Sequence, residues 1–223
     1  MVTPAELVAD AVAAGLDLIA ITDHDTMANA QEVFERGGEA GLAVVKGQEV
    51  TTRWPAQTHV LGWFLETPVR RGMSLEDTVT AIQQQGGLAV LPHPFMPTYF
   101  ASCQPGMLER LIASRHLDAV EVVHTAPISA GRRRLLQRFY EAHVQALGAA
   151  VGGSDSHFGR HDLAVVVTEF PGRSQEEFRA AVVERRTRPT VRGRRHVPAG
   201  LLARQQWRSL VRLPLGRLTG QLE

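Results

Sequence analysis

The sequence predicts an α/β fold, either a parallel α/β barrel or a doubly wound sheet. Helical and strand patterns alternate along most of the 223 residues. Several predicted strands are continuous apolar runs, as expected of strands that are buried on both faces. Residues that can bind metal ions follow directly after these strands. Functional groups at the carboxyl ends of parallel strands are typical of both architectures.

The first predicted element is a helix from Pro4 to Ala14. Thr3 is its N-cap, Pro4 takes the first helical position and Glu6 completes a capping box. An apolar run, Leu16 to Thr22, predicts the first strand. The next helix covers residues 29–39 and stops at Gly41.

Later elements follow the same rules. Ser74 caps a helix that runs to Gln85, and Gly86-Gly87 ends it. The long helix and the last helix are predicted at residues 132–147 and 175–186. The remaining strands are predicted at residues 42–50, 58–65, 88–91, 118–123, 149–152 and 163–167.

Composition limits the function classes. A chain of this length, 44% hydrophobic, can bury a full core. No segment approaches the roughly 20 apolar residues of a membrane span, and no signal segment opens the chain. The single cysteine, Cys103, excludes an internal disulfide and favours a reducing, cytoplasmic location. Because no histidine accompanies it in a recognisable motif, Cys103 is expected to be a loop or core thiol.

The charge is unevenly distributed. Residues 185–223 contain ten Arg and one acidic residue, Glu223, whereas the net charge of the whole chain is +1. We therefore expect a domain at residues 1–190 and a basic extension at 191–223. The extension either grips phosphates or packs on the domain through Trp207 and nearby leucines. The arginines that could contact an RNA backbone are Arg192, Arg194, Arg195, Arg204, Arg208 and Arg212.

Metal-ligand residues occur in five segments at strand ends. The segments are Asp23-His24-Asp25, Gly47-Gln48-Glu49, Thr58-His59, Pro92-His93-Pro94 and Gly153-Ser154-Asp155-Ser156-His157. Carboxylates and imidazoles without thiolates suit manganese, iron or zinc better than calcium. Their convergence from several strand ends is what a hydrolytic multi-metal site needs.

These motifs, in this order, resemble those of the PHP (polymerase and histidinol phosphatase) superfamily over residues 3–190. The resemblance is to its small stand-alone phosphoesterases, which act on nucleotides and short RNAs. It implies a distorted (β/α)7 TIM-like barrel that holds two or three divalent ions. It also implies hydrolysis of a phosphate ester by a metal-activated water.

The resemblance assigns roles to individual residues. Glu49 bridges two ions, and His59 and His93 complete one of them. Asp155 serves another ion, and His24 with His157 serves a third. His24 or His157, if not fully committed to an ion, protonates the leaving group. The catalytic set implied by the resemblance is therefore His24, Asp155 and His157.

Further roles are predicted around this set. Asp23 and Asp25 are expected to orient His24, although Asp25 could equally cap the following helix. Arg160 is expected to bind the substrate phosphate more readily than Arg132-Arg133-Arg134, which is better explained as a solvated helix face. His124 stands where relatives often have Asn. It either faces the substrate or is a loop residue without a ligand role.

One departure concerns the start of the chain. Family members begin with a strand that carries His-x-His, followed by an acidic or histidine ligand, and neither precedes Pro4 here. The expected consequences are a missing first strand and fewer bound ions, caused by a misassigned start codon or by a loss of catalysis. Three alternatives to nucleotide or RNA hydrolysis stay open. They are a catalytically impaired module that binds metal, nucleotide or a protein partner, a histidinol-phosphate phosphatase, and RNA binding through the basic extension.

Overall fold

The computed structural model describes residues 2–97, 101–194 and 196–201. Helices and strands alternate through these residues, as predicted. The helices are α1 (Pro4–Ala13), α2 (Ala30–Glu39), α3 (Leu75–Gln84), α4 (Pro105–Ile112), α5 (Ala130–Leu147) and α6 (Gln175–Val183). The strands are β1 (Leu18–Ile21), β2 (Ala43–Thr51), β3 (His59–Trp63), β4 (Leu88–Leu91), β5 (Ala119–His124), β6 (Ala149–Gly153), β7 (Val166–Glu169) and β8 (Arg188–Val191).

The first six strands form one curled sheet in chain order, from β1 to β6, and β7 pairs with β8 beside it. The predicted α/β class is confirmed, and the count of seven βα units stays a prediction. The predicted parallel sheet is present only in part, because β3 runs antiparallel to β2 and β4, and β7 runs antiparallel to β8. Residues 52–58 join β2 to β3, and a parallel crossover needs a dozen or more residues.

Three details differ from the predicted elements. Helix α4 and strand β8 have no counterpart in the prediction. Strand β7 begins at Val166 rather than at residue 163, because a short 3-10 helix, Gly159–His161, and a turn around the buried Asp162 occupy the preceding residues. The predicted capping box of α1 is present, with Thr3 and Glu6 bonded reciprocally. Ser74 caps α3 by accepting a hydrogen bond from the Asp77 amide.

Both faces of the sheet are buried. On the outer face, Val50, Val60 and Val120 pack in one cluster with residues of α3, α4 and α5. On the inner face, Val45 and Leu61 pack with Phe178 of α6. Helices α1 and α2 cover β1 and β2. Polar side chains therefore concentrate where the strands end. In the described residues, no helix has the length and apolar character that crossing a membrane requires.

Cys103 is fully buried in the outer-face cluster, as its predicted role as a core thiol requires. Burial raises the pKa of its thiol to about 12, from an ordinary value of 9.0. Because the thiolate fraction falls tenfold per pKa unit, we expect alkylation by iodoacetamide to be about 1000-fold slower in the folded protein than in guanidinium. Mass spectrometry of timed samples measures both rates, and equal rates would show that solvent reaches the thiol.

Candidate metal centre

The carboxylate of Glu49 lies among three imidazoles. Its Oε1 atom is 2.6 Å from Nδ1 of His59 and 3.3 Å from Nε2 of His93, and its Oε2 atom is 3.5 Å from Nδ1 of His24. The side chain of Glu49 is 7% exposed, whereas that of His24 is 47% exposed. The cluster therefore extends from the interior of the sheet to solvent.

Strand pairing explains why these residues meet. Glu49 stands on the inner face of β2, and His24, just past β1, forms a parallel bridge with it. His93 follows β4 by two residues. His59 is the first residue of β3, and it pairs with Thr51 at the carboxyl end of β2. Because β3 is antiparallel, the beginning of this strand reaches the same edge as the ends of its neighbours.

The charges in this cluster are strongly coupled. Burial alone would raise the pKa of the Glu49 carboxyl, but the contacts with His59 and His93 outweigh burial and hold that pKa well below its usual range. Burial would lower the pKa of His93, yet its contact with the Glu49 carboxylate raises the pKa to about 9. Glu49 is thus a carboxylate that attracts positive charge at neutral pH.

The donor set fits a divalent ion. Ligand atoms of His24, Glu49 and His59 all lie within 4.8 Å of one another. Nδ1 of His59 is buried without an aligned hydrogen bond among the described residues, although the Glu49 oxygen is near it. A buried polar atom normally has a partner, so this nitrogen points to a ligand. Imidazole and carboxylate donors suit manganese, iron or zinc.

Asp155 and His157 lie beside this cluster. The His157 ring is 6.0 Å from the His24 ring, and its Nδ1 atom is 3.0 Å from the carbonyl oxygen of Asp155 and 3.5 Å from its carboxylate. Both side chains are about one third exposed. Together with His24, Glu49 and His93, they line one cavity of about 570 Å³. The sheet therefore brings the six predicted ligand residues to one edge.

Two predicted ligands have unusual backbone angles. The φ angles of His93 and Asp155 are 32° and 47°, in the left-handed region that favours glycine. Such conformations cost free energy and persist where the surroundings hold them. They aim the two side chains at positions that a regular strand end would not reach.

The two aspartates around His24 hold the backbone of its loop. Asp23 Oδ2 accepts a hydrogen bond from the Asn29 side chain, and Asp25 Oδ1 accepts one from the Thr51 amide. A backbone bond from Asp25 N to Glu49 O also joins the loop to β2. These bonds place His24 through the main chain. That either carboxylate orients the imidazole itself stays a prediction.

The remaining predicted residues are His124, Arg160 and Arg132. Within the described part of the chain none of them bonds to Glu49, although the charge of His93 acts on His124. His124 is not among the residues that line the main cavity. Burial lowers the pKa of its ring to about 4, and both ring nitrogens lack an aligned hydrogen bond among the described residues. Arg160 lines a second, neighbouring cavity. Arg132 is half-buried and donates hydrogen bonds to the carbonyl oxygens of Phe95 and Met96. It therefore holds a loop in place and does not belong to the solvated helix face that was predicted.

Glu121 and Asp162 were not predicted as site residues. Glu121 is buried on the inner face of β5, and its Oε2 atom accepts a 2.8 Å hydrogen bond from the His93 amide. Asp162, also buried, accepts from the Ser156 hydroxyl and from the amides of His157 and Phe158. A carboxylate within the apolar run of β5 was the available signal for Glu121. Asp162 follows no strand and offered no comparable signal.

Comparison with known proteins supplies a family and a fold. A family model described as the PHP domain matches residues 1–186. An uncharacterized protein of Methanocaldococcus jannaschii is 37% identical over 108 residues, which cover 48% of this chain and 58% of that protein. A 5'-3' exoribonuclease of Haemophilus influenzae is 35% identical over 63 residues, or 28% of this chain and 23% of the enzyme. The matches thus span less than two thirds of either relative's length.

A solved structure has a similar fold. It is a two-domain protein from Bacteroides vulgatus that contains a predicted PHP-like metal-dependent phosphoesterase. The TM-score is 0.67 at 19% sequence identity, and the match covers 86% of this chain and 60% of that protein. At this identity the likeness concerns the fold alone.

Proposed function

This chain belongs to the PHP domain family, and on that premise we propose that it is a metal-dependent phosphoesterase of nucleotides or short RNAs. The observation that carries the proposal is the Glu49 carboxylate, buried between His59 and His93 and open to solvent through His24. A buried carboxylate ringed by imidazoles has the chemistry to collect divalent ions. The adjoining cavity offers room for a phosphate ester.

Each residue has a proposed part. Glu49, His59 and His93 hold one ion, and Asp155, His24 and His157 hold the others. Divalent ions at such a site lower the pKa of water and neutralise the charge of a phosphate. The Glu49 carboxylate would be a ligand to a second ion as well. Buried Glu121 holds the His93 backbone, and Asp162 holds the loop that carries His157.

His157 or His24, whichever is not committed to an ion, is the proposed proton donor to the leaving group. Nδ1 of His157 contacts the Asp155 carbonyl oxygen, so Nε2 is the ring nitrogen left for other partners. Both rings lie on the cavity wall, and their exposure gives them access to a departing alkoxide. A proton delivered there converts the alkoxide into a stable alcohol.

The substrate class rests on different support. The Haemophilus influenzae relative is a 5'-3' exoribonuclease, and its similarity to this chain covers 63 residues. We extend its substrate chemistry to this chain as part of the proposal. Histidinol phosphate requires the same phosphate chemistry and serves as the competing substrate in the test.

The test compares metal binding and turnover in one preparation. Chelator-stripped protein is reloaded with manganese, iron or zinc, and metal content is measured beside phosphate release from a mononucleotide, a 5'-phosphorylated oligoribonucleotide and histidinol phosphate. We expect turnover that EDTA abolishes and added metal restores. Ion binding without turnover of any substrate would favour a binding module, and failure to bind an ion would contradict the metal centre itself.

A further inference from the structure

A second cavity of about 270 Å³ adjoins the main one. We define it as the basic groove, formed by the short 3-10 helix after His157 and by the segment that leaves β8. Its charged and titratable lining residues are Arg160, His161, Arg192, Arg194 and His196. Three guanidinium groups and two imidazoles thus line this groove, and none of the described residues that line it carries a carboxylate.

The backbone of the basic groove is held in place. The His196 amide donates to the His161 carbonyl at 3.1 Å, which ties the two sides together. The Arg192 amide donates to the Val165 carbonyl at 2.9 Å. The Arg160 amide donates to the Asp10 carboxylate at 2.8 Å. Arg160 and Arg192 therefore project from fixed main-chain positions.

The guanidinium groups themselves are available. Arg160, Arg192 and Arg194 are exposed, and no ion pair joins any of them to a carboxylate within the described residues. Glu169, whose pKa is lowered chiefly by Arg188 and also by Arg192, has its close contact with Arg188. Three unpaired guanidinium groups around one concavity are suited to oxyanions, because their planar donors match phosphate geometry.

The basic groove adjoins the main cavity, which the metal-ligand residues also line. Leu163, Ala164 and Arg192 line both cavities, and Arg160 follows His157 by three residues. A ligand with one phosphate at the metal centre would therefore extend toward the groove. The volume is below the roughly 300–1000 Å³ of sites that enclose a drug-sized ligand, so it suits a phosphate and its sugar better than a duplex.

We propose that the basic groove binds backbone phosphates of a single-stranded nucleic acid whose terminal phosphate occupies the metal centre. This inference rests on the proposed function and narrows its substrate to chains with more than one phosphate. The groove acts through charge and geometry. It therefore raises the affinity for longer nucleic-acid chains without selecting a base sequence.

Binding in EDTA tests the groove without requiring turnover. A fluorescently labelled 5'-phosphorylated hexaribonucleotide is titrated with the full chain at several salt concentrations. For single strands, each neutralised phosphate contributes a slope of about −0.7 in the logarithm of affinity against the logarithm of salt. Arg160→Gln, Arg192→Gln and Arg194→Gln should each make the slope shallower by about 0.7 and weaken binding several-fold. Arg138→Gln, on an exposed face of α5, is the matched control and should bind like the parent.

The outcomes separate the groove from the proposed function. A shallower salt dependence of RNA affinity in the three variants supports phosphate binding by the groove, even if no phosphate ester is hydrolysed. If all three bind like Arg138→Gln, the groove proposal is wrong even when hydrolysis occurs. Losses seen only with vesicles of phosphatidylserine, and not with RNA, would likewise overturn it in favour of a membrane surface.

Discussion

Replacing Glu49 by Gln is expected to lower phosphate-ester turnover by about 1000-fold or more, since a bound ion supplies several kcal/mol of charge stabilisation. The amide keeps the shape of the side chain but removes the charge that three imidazoles surround. Under the proposed function, the bound ions would lose the ligand that they share. Metal content measured by mass spectrometry should therefore fall together with kcat.

A surface carboxylate provides the control for this variant. Glu109 is exposed on α4, outside both cavities, so Glu109→Gln changes the net charge equally without touching the site. It should keep its metal and its activity. Parent-like metal content and kcat in Glu49→Gln would exclude Glu49 as the centre of the site.

Gly153→Ala is expected to destabilise the fold by about 1–3 kcal/mol and to lower kcat about 100-fold. A Cβ atom at this position would stand 1.8 Å from Oε1 of Glu121. The Glu121 carboxylate is buried and accepts a hydrogen bond from the His93 amide, so a methyl group at residue 153 would push it off this bond. Displacing it moves the peptide that aims His93. Denaturant unfolding and steady-state kinetics measure the two effects.

A shorter acidic residue at position 121 tests whether the effect comes from the contact between residues 153 and 121 or from a general loss of packing. Glu121→Asp withdraws the carboxylate by one methylene, so the double variant Gly153→Ala/Glu121→Asp should be more stable than the two single effects predict, by about 0.5–3 kcal/mol. Gly38→Ala is the control, because a Cβ there meets nothing within 4 Å. It should be neutral or slightly stabilising. Additive effects of the two site substitutions would show that Glu121 and Gly153 do not interact in this way.

Much of the fold follows from local patterns. The capping box at Thr3 and Glu6, the Ser74 cap and the apolar runs that became β1 and β4 each depend on neighbouring residues alone. Helix α4 offered a weaker signal, since Pro105 begins it but its N-cap Gln104 makes no side-chain capping bond. The predicted extension lies largely outside the described residues, including Trp207, Leu210 and Leu213. Its boundary at residue 190 stays a prediction.

The candidate site was only partly predictable from local sequence patterns. The predicted strand ends identified His24, Glu49, His93 and Asp155 as candidate ligands, because polar residues after apolar runs collect at one edge of a parallel sheet. His59 is at the beginning of its strand, and it reaches the site only because β3 is antiparallel. Arg132 was predicted to lie on a solvated helix face. Its hydrogen bond to the Phe95 carbonyl joins residues far apart in the chain, so residue spacing did not predict it.

By itself, the sequence determined the α/β class, the family and the kinds of ligand available, since these depend on residue types and spacing. Only the tertiary structure decided the direction of β3, the support of His93 by Glu121 and the meeting of Arg160 and Arg192 at one cavity. Each of these pairs residues far apart in the chain, as Glu121 and His93 or Arg160 and Arg192 are. Such contacts depend on how strands cross and pair, which residue spacing along one chain does not specify.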